Sequence, residues 1–84
     1  MSYEEVFSEV NKIFIDFFED ESIDLEYETT ADDIEDWDSL THVQLILKIE
    51  KHFKIKFRLA EVQKFKNVGV MCDYIVQHLN NSTN

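Results

Sequence analysis

Apolar residues recur at spacings of three and four from Tyr3 through Val6, Phe7, Val10, Ile13, Phe14 and Phe17. That period puts them on one face of an amphipathic helix over residues 2–18. Ser2 stands at its start and Glu5 follows three residues later, the pattern of a capping box. The period then fails. Between 19 and 37 the chain is acidic, with isolated apolar residues at Ile23, Leu25, Tyr27, Ile34 and Trp37. The pattern predicts a long ordered loop pinned to the helices by those residues, with Ile34 and Trp37 anchoring its end. Loops of this length are uncommon in small domains and are often functional.

Helical spacing returns after Asp38, whose carboxylate can accept a bond from an orphan first-turn amide, and predicts a helix over 38–52. Leu45, Ile46, Ile49 and Phe53 form one stripe on it. Leu40, Val43 and Leu47 form a second, roughly 140° away at about 100° per residue. The first suits a core. The second either stays exposed beside the helix start or is covered by the long loop; spacing alone does not choose.

Residues 52–59 alternate, with Phe53, Ile55, Phe57 and Leu59 between His52, Lys54, Lys56 and Arg58. The period is that of a strand, but no second segment offers it a partner. An extended connector with its apolar side on the core is expected instead. A short helix over 59–66 follows. Asn67 then caps a last helix over 67–79, with Val68, Cys72, Ile75 and Leu79 facing inward. Residues 80–84 form a polar tail, expected to be disordered. The expected fold is all-α: three main helices and one short one, a long first loop, and a single domain over 1–79.

Composition supports this reading and narrows the function. The chain has no proline and one glycine, Gly69, among 84 residues, which favours helices over a turn-rich β fold. Its 44% hydrophobic content is too high for a disordered acidic tail. A domain this small buries roughly 60% of its unfolded surface, too little for both a core and a deep catalytic cleft. The net charge of −10 argues against nucleic acid and anionic membrane as partners. No segment is long and apolar enough to cross a bilayer, and no basic stretch precedes an apolar run at the start. The chain reads as cytoplasmic and monomeric.

The charge is unevenly placed. Residues 1–38 hold fifteen acids against Lys12 alone, while 39–84 hold three acids and seven bases. The sign changes at Ser39. With Asp38 as cap, Ser39 is the first helical residue, its hydroxyl exposed beside free amides at the positive end of a helix dipole. That place suits an anion such as a phosphate. Serine is common near helix starts, so the placement alone does not separate a site from an ordinary surface serine.

The motif Trp37-Asp38-Ser39-Leu40 resembles the Asp-Ser-Leu signature of acyl and peptidyl carrier proteins. The similarity continues through Leu45-Ile46-Leu47-Lys48-Ile49-Glu50, Phe53, Phe57, Phe65 and Val68 to Asp73-Tyr74-Ile75. The resemblance implies an acyl-carrier-like bundle that is not an enzyme. It implies 4′-phosphopantetheine, taken from coenzyme A, on Ser39, with Trp37, Asp38 and Leu40 completing the motif. The partners it implies are a phosphopantetheinyl transferase, an acyl- or aminoacyl-loading enzyme and downstream synthases. Leu40, Val43 and Leu47 match positions that contact partners in the family. Leu45, Ile49, Phe57, Val62 and Phe65 would line the space in which a cargo chain shelters.

This chain departs from the family's pattern in two places. Asp36 stands where members often have glycine; aspartate tolerates left-handed backbone better than most residues. The second helix, usually acidic in fatty-acid carriers, here bears His42, Gln44, Lys48 and Lys51, with Glu50 its one acid after the cap. The expected function is a free-standing carrier of thioester-linked intermediates, for a dedicated pathway. The alternatives are housekeeping fatty-acid synthesis, or a small helical interaction domain without prosthetic group.

Other chemistries fit poorly. A serine hydrolase needs an orienting base and an oxyanion hole. His42 lies three residues after Ser39 but points with the core stripe, and no Gly-x-Ser-x-Gly elbow surrounds the serine. It stands at the edge of the core, where it could touch a prosthetic group. The acids of 20–24 lack the central glycine and spacing of a calcium loop, so no metal site is expected. Cys72, the only cysteine, reads as inert core.

Overall fold

Ser2 and Glu5 exchange the two bonds of a capping box: the Glu5 amide donates to Ser2 Oγ at 3.2 Å and the Ser2 amide to Glu5 Oε1 at 3.1 Å. They start α1, Tyr3–Phe18, which ends at Glu19 in left-handed backbone (φ 52°). The computed structural model describes residues 2–81. Three further helices follow: α2 (Ser39–Phe53), α3 (Leu59–Val62) and α4 (Val68–Asn81). No strand occurs among the described residues. The all-α architecture is as expected.

The core forms where three apolar faces meet: Val6, Val10 and Phe14 of α1, Leu45 and Ile49 of α2, and Met71, Cys72 and Ile75 of α4. The charged face of α1 also meets α2. Lys48 Nζ lies 2.8 Å from Asp16, and His52 Nε2 lies 3.1 Å from Glu9. The acidic first helix is thus matched locally by the basic second one. Pairs this exposed contribute little to stability individually, but they occupy Lys48, which its place in the sequence had left free to face a partner.

The first loop is ordered as expected. Ile23, Leu25 and Trp37 are buried, Ile34 is half-buried, and the Leu25 amide donates to Asn11 Oδ1 at 2.8 Å. A 3-10 turn, Ala31–Asp33, was not legible in the apolar spacing. It forms because the Thr30 amide donates to Asp33 Oδ2 at 2.9 Å, a local polar exchange without a hydrophobic signature. The loop also closes the start of α4. The Val68 amide donates to the Thr29 carbonyl and the Gly69 amide to the Tyr27 carbonyl, each at 2.8 Å. Two donors that a helix start leaves unpaired are thereby satisfied. Asn67 Oδ1 takes a third, from Val70 at 2.8 Å.

Other sequence expectations need correction. α3 spans four residues rather than 59–66; tight turns replace its second half and bring Phe65 onto Phe57, 5.0 Å between ring centroids. Leu59 does not join the core. It opens α3, leaves the alternation of the connector, and is 74% exposed. Leu79 is only half-buried, while Met71, absent from the expected inner face, is fully buried. α4 continues to Asn81, so positions 80 and 81, expected in the polar tail, are helical. The remainder of that tail, 82–84, lies outside the described residues.

The single glycine is explained by a close approach. A Cβ on Gly69 would run into the Tyr27 ring, whose hydroxyl donates to Asp73 at 3.0 Å. In an open helix interior Gly→Ala stabilises by about 1 kcal/mol. Here the ring atoms must move, so Gly69→Ala is expected to destabilise by about 1–3 kcal/mol, as overpacking does. Adding Tyr27→Ala removes the clash. Urea melts are expected to show Gly69→Ala stabilising in that background, a reversal of sign.

Candidate attachment site

The turn into α2 is built from two side chains, Asp38 and Thr41, and the Asp36 carbonyl. Asp38 Oδ1 accepts from the Leu40 and Thr41 amides at 3.0 Å each, and the Thr41 hydroxyl receives the Asp38 amide at 2.8 Å. These bonds, led by the Thr41 amide, hold the Asp38 carboxyl below its ordinary pKa. The same hydroxyl donates to the Asp36 carbonyl at 2.7 Å. Asp36 is left-handed, φ 70°, so the position where carriers often have glycine does need that backbone, and aspartate supplies it.

Ser39 is the first residue of α2 and is exposed. Its hydroxyl makes no hydrogen bond among the described residues, so nothing internal competes for it. Beside it lies an open groove of about 450 Å³. Ala31 and Trp37 line it from the loop, Asp38, Ser39 and His42 from the start of α2, and Phe65 and Lys66 from the segment after α3. Lys66 and Ala31 escaped the sequence reading because each is distant along the chain and neither sits in an apolar pattern.

Trp37 is buried and meets Phe14 edge to face, 5.1 Å between centroids. Its indole N–H donates to His42 Nδ1 at 3.0 Å, with the two rings only 25° from parallel. Burial lowers the His42 pKa from its ordinary value. The ring is therefore neutral, Nδ1 accepts, and Nε2 carries the proton. A base for Ser39 would need an unprotonated ring nitrogen free to accept its proton, and this ring has none. The unprotonated nitrogen is spent on Trp37, which sets hydrolase chemistry aside on geometry.

A pH dependence follows from the same contact. The unfolded imidazole takes up a proton near pH 6.5, while the folded one resists until lower pH. Stability supplied by neutral His42 is present above about pH 6.5 and is lost as pH falls below it, because the unfolded chain then binds more protons. The charged residues that share the groove with the ring are Asp38 and Lys66. Denaturant melts at descending pH are expected to show the wild-type chain losing stability relative to His42→Gln in this window. A constant difference between the two would contradict it.

The other expected site residues fall into two groups. Leu40, Val43 and Leu47 are 69%, 56% and 59% exposed, so the long loop does not cover them. Leu45 and Ile49 are fully buried in the central core, whereas Phe57, Val62 and Phe65 are half-buried at its α3 edge. Phe65 alone of these five reaches the groove beside Ser39.

Ser39 thus stands clear of the core of a small helical domain, at a helix start and beside an open groove. A family model described as the phosphopantetheine attachment site matches residues 8–75. The chain is 32% identical over 78 residues to an acyl carrier protein of Lactobacillus acidophilus, covering 93% of this chain and 98% of that one. It is 48% identical over 44 residues to an acyl carrier protein of Phytoplasma mali, a match spanning 52% of each. The solution structure of holo acyl carrier protein from Geobacter metallireducens superposes with a TM-score of 0.86 at 46% identity, over 90% of this chain and 87% of that one. The chain belongs to the acyl carrier protein family: a carrier, not an enzyme, in a family that bears a phosphopantetheine arm. No helix among the described residues is long and apolar enough to cross a membrane.

Proposed function

We propose that the chain carries thioester-linked intermediates on 4′-phosphopantetheine joined to Ser39. The observation that carries this reading is the Ser39 hydroxyl, exposed and unbonded at the first residue of α2 beside an open groove. In the transfer, Ser39 Oγ bonds to the phosphorus next to the pantetheine, the pyrophosphate bond of coenzyme A breaks, adenosine 3′,5′-bisphosphate leaves, and the hydroxyl proton passes to a base of the transferase. The arm supplies the terminal thiol on which cargo is held. Ser39 fixes its root, Asp38 and Thr41 hold the turn, and Trp37 anchors the loop. Incubation with coenzyme A and a broad-specificity phosphopantetheinyl transferase is expected to add one arm, read by intact mass. A chain that stays unmodified would overturn the reading.

Partner enzymes would meet the exposed Leu40, Val43 and Leu47 beside the serine. Cargo, where sheltered, would pass Phe65 and Phe57 towards Val62, Leu45 and Ile49. With Leu45 and Ile49 closely packed, a short or polar cargo fits better than a long straight chain, since enlarging a packed core costs about 1–3 kcal/mol. The basic residues of α2 favour a dedicated pathway over fatty-acid elongation enzymes that use basic patches, because like charges slow encounter. Of those residues Lys51 carries this role. Lys48 is held by Asp16.

A further inference from the structure

His42 stands one helical turn after Ser39, and residues three apart on a helix share a face. Both line the groove. With Nδ1 taken by the Trp37 indole, the proton sits on Nε2, which makes no hydrogen bond among the described residues. Nor is Nε2 one of the buried polar atoms left without a partner. It therefore opens to solvent, a fixed donor on a half-buried ring held at its other edge. Lys66 enters the same groove from the turn after α3 and makes no ion pair among the described residues. The groove's one acid, Asp38, has an oxygen already engaged by the Leu40 and Thr41 amides.

We infer that His42 is a positioning residue for the phosphodiester of the arm on Ser39, its Nε2–H donating to a phosphate oxygen while Lys66 supplies the opposing charge. The inference rests on the attachment proposed above. A phosphodiester is a monoanion with acceptor oxygens and no donor, so a neutral imidazole N–H and an ammonium suit it chemically. Bonds to ionised acceptors are roughly twice as strong as neutral ones. Trp37 acts through His42 by fixing which nitrogen bears the proton. The arm would then leave Ser39 along the groove towards Phe65 rather than swing freely into solvent.

The test uses the modified chain, its single arm first confirmed by mass, and reads phosphorus and ring-nitrogen resonances. On attachment, the His42 Nε2 resonance is expected to shift as the donor gains an acceptor. The phosphorus resonance is expected to titrate between about pH 5 and pH 8 with the midpoint of the His42 ring, a range in which histidine ionises and a phosphodiester does not. At about pH 7, the phosphorus resonance of His42→Phe is expected to move towards that of the urea-unfolded chain. His42→Gln, which retains a donor, is expected to stay close to wild type. A purely structural histidine would move none of the phosphorus signals. If His42→Phe does not fold, the wild-type chain decides alone: unchanged His42 ring nitrogens on attachment overturn the inference. Failure to gain the arm at all would instead sink the attachment.

Discussion

Ser39→Ala is expected to abolish attachment completely while leaving the fold intact. The variant should show no mass gain with coenzyme A and a transferase, where the wild-type chain gains one arm. The separation of effects follows from position. Ser39 is the first residue of α2, and its side chain makes no hydrogen bond among the described residues. The bonds that start the helix belong to Asp38 and Thr41. Alanine is the best helix former, and exposed substitutions away from such features usually fall within about ±0.5 kcal/mol. Melts of the two chains should therefore nearly coincide. Asp38→Ala is the converse control: it keeps the serine and removes a cap, at about 0.5–2 kcal/mol. Attachment to the alanine variant of Ser39 would place the site elsewhere.

Trp37→Ala is expected to destabilise the chain by about 3–5 kcal/mol, as large-to-small core substitutions do. Small domains hold total stabilities of about 5–15 kcal/mol, so much of the margin disappears. The indole is the last tie of the long loop before Ser39, edge-on to Phe14 and bonded to His42. Its removal leaves a cavity against α1 and frees His42 Nδ1. Trp37→Phe separates the two roles. It keeps most of the apolar contact and loses the N–H, and leaving a buried acceptor unpaired costs about 1–3 kcal/mol. Denaturant melts should rank the three chains wild type, Trp37→Phe, Trp37→Ala in falling stability. Equal stability of Trp37→Phe and wild type would mean that the indole N–H contributes nothing measurable.

What could be read before any coordinates rested on local physics. Apolar spacing located α1 and α2, and side-chain caps set where they begin, because Ser2 with Glu5 and Asp38 act within one turn of themselves. The same locality made Ser39 legible as a candidate: its chemistry depends on its place in one helix and not on distant neighbours. Asp36 belongs here too, since its left-handed backbone is a property of the turn it occupies.

Only tertiary structure decided the rest. Whether Leu40, Val43 and Leu47 were covered depended on where nineteen residues of aperiodic loop ran, and period carries no information about that path. The loop's course was set instead by the Thr29 and Tyr27 carbonyls, which answer unpaired amides some forty residues away at the start of α4. The need for glycine at position 69 appears only with the Tyr27 ring packed against it. Lys48 looked free until Asp16 was found beside it. The groove at Ser39 joins the end of the loop and the adjoining start of α2 to the distant segment of Phe65 and Lys66, so its lysine was beyond any reading of spacing. Local bonds are written in adjacent residues; a surface, a groove or an ion pair across helices exists only once the chain has folded and brought its distant parts together.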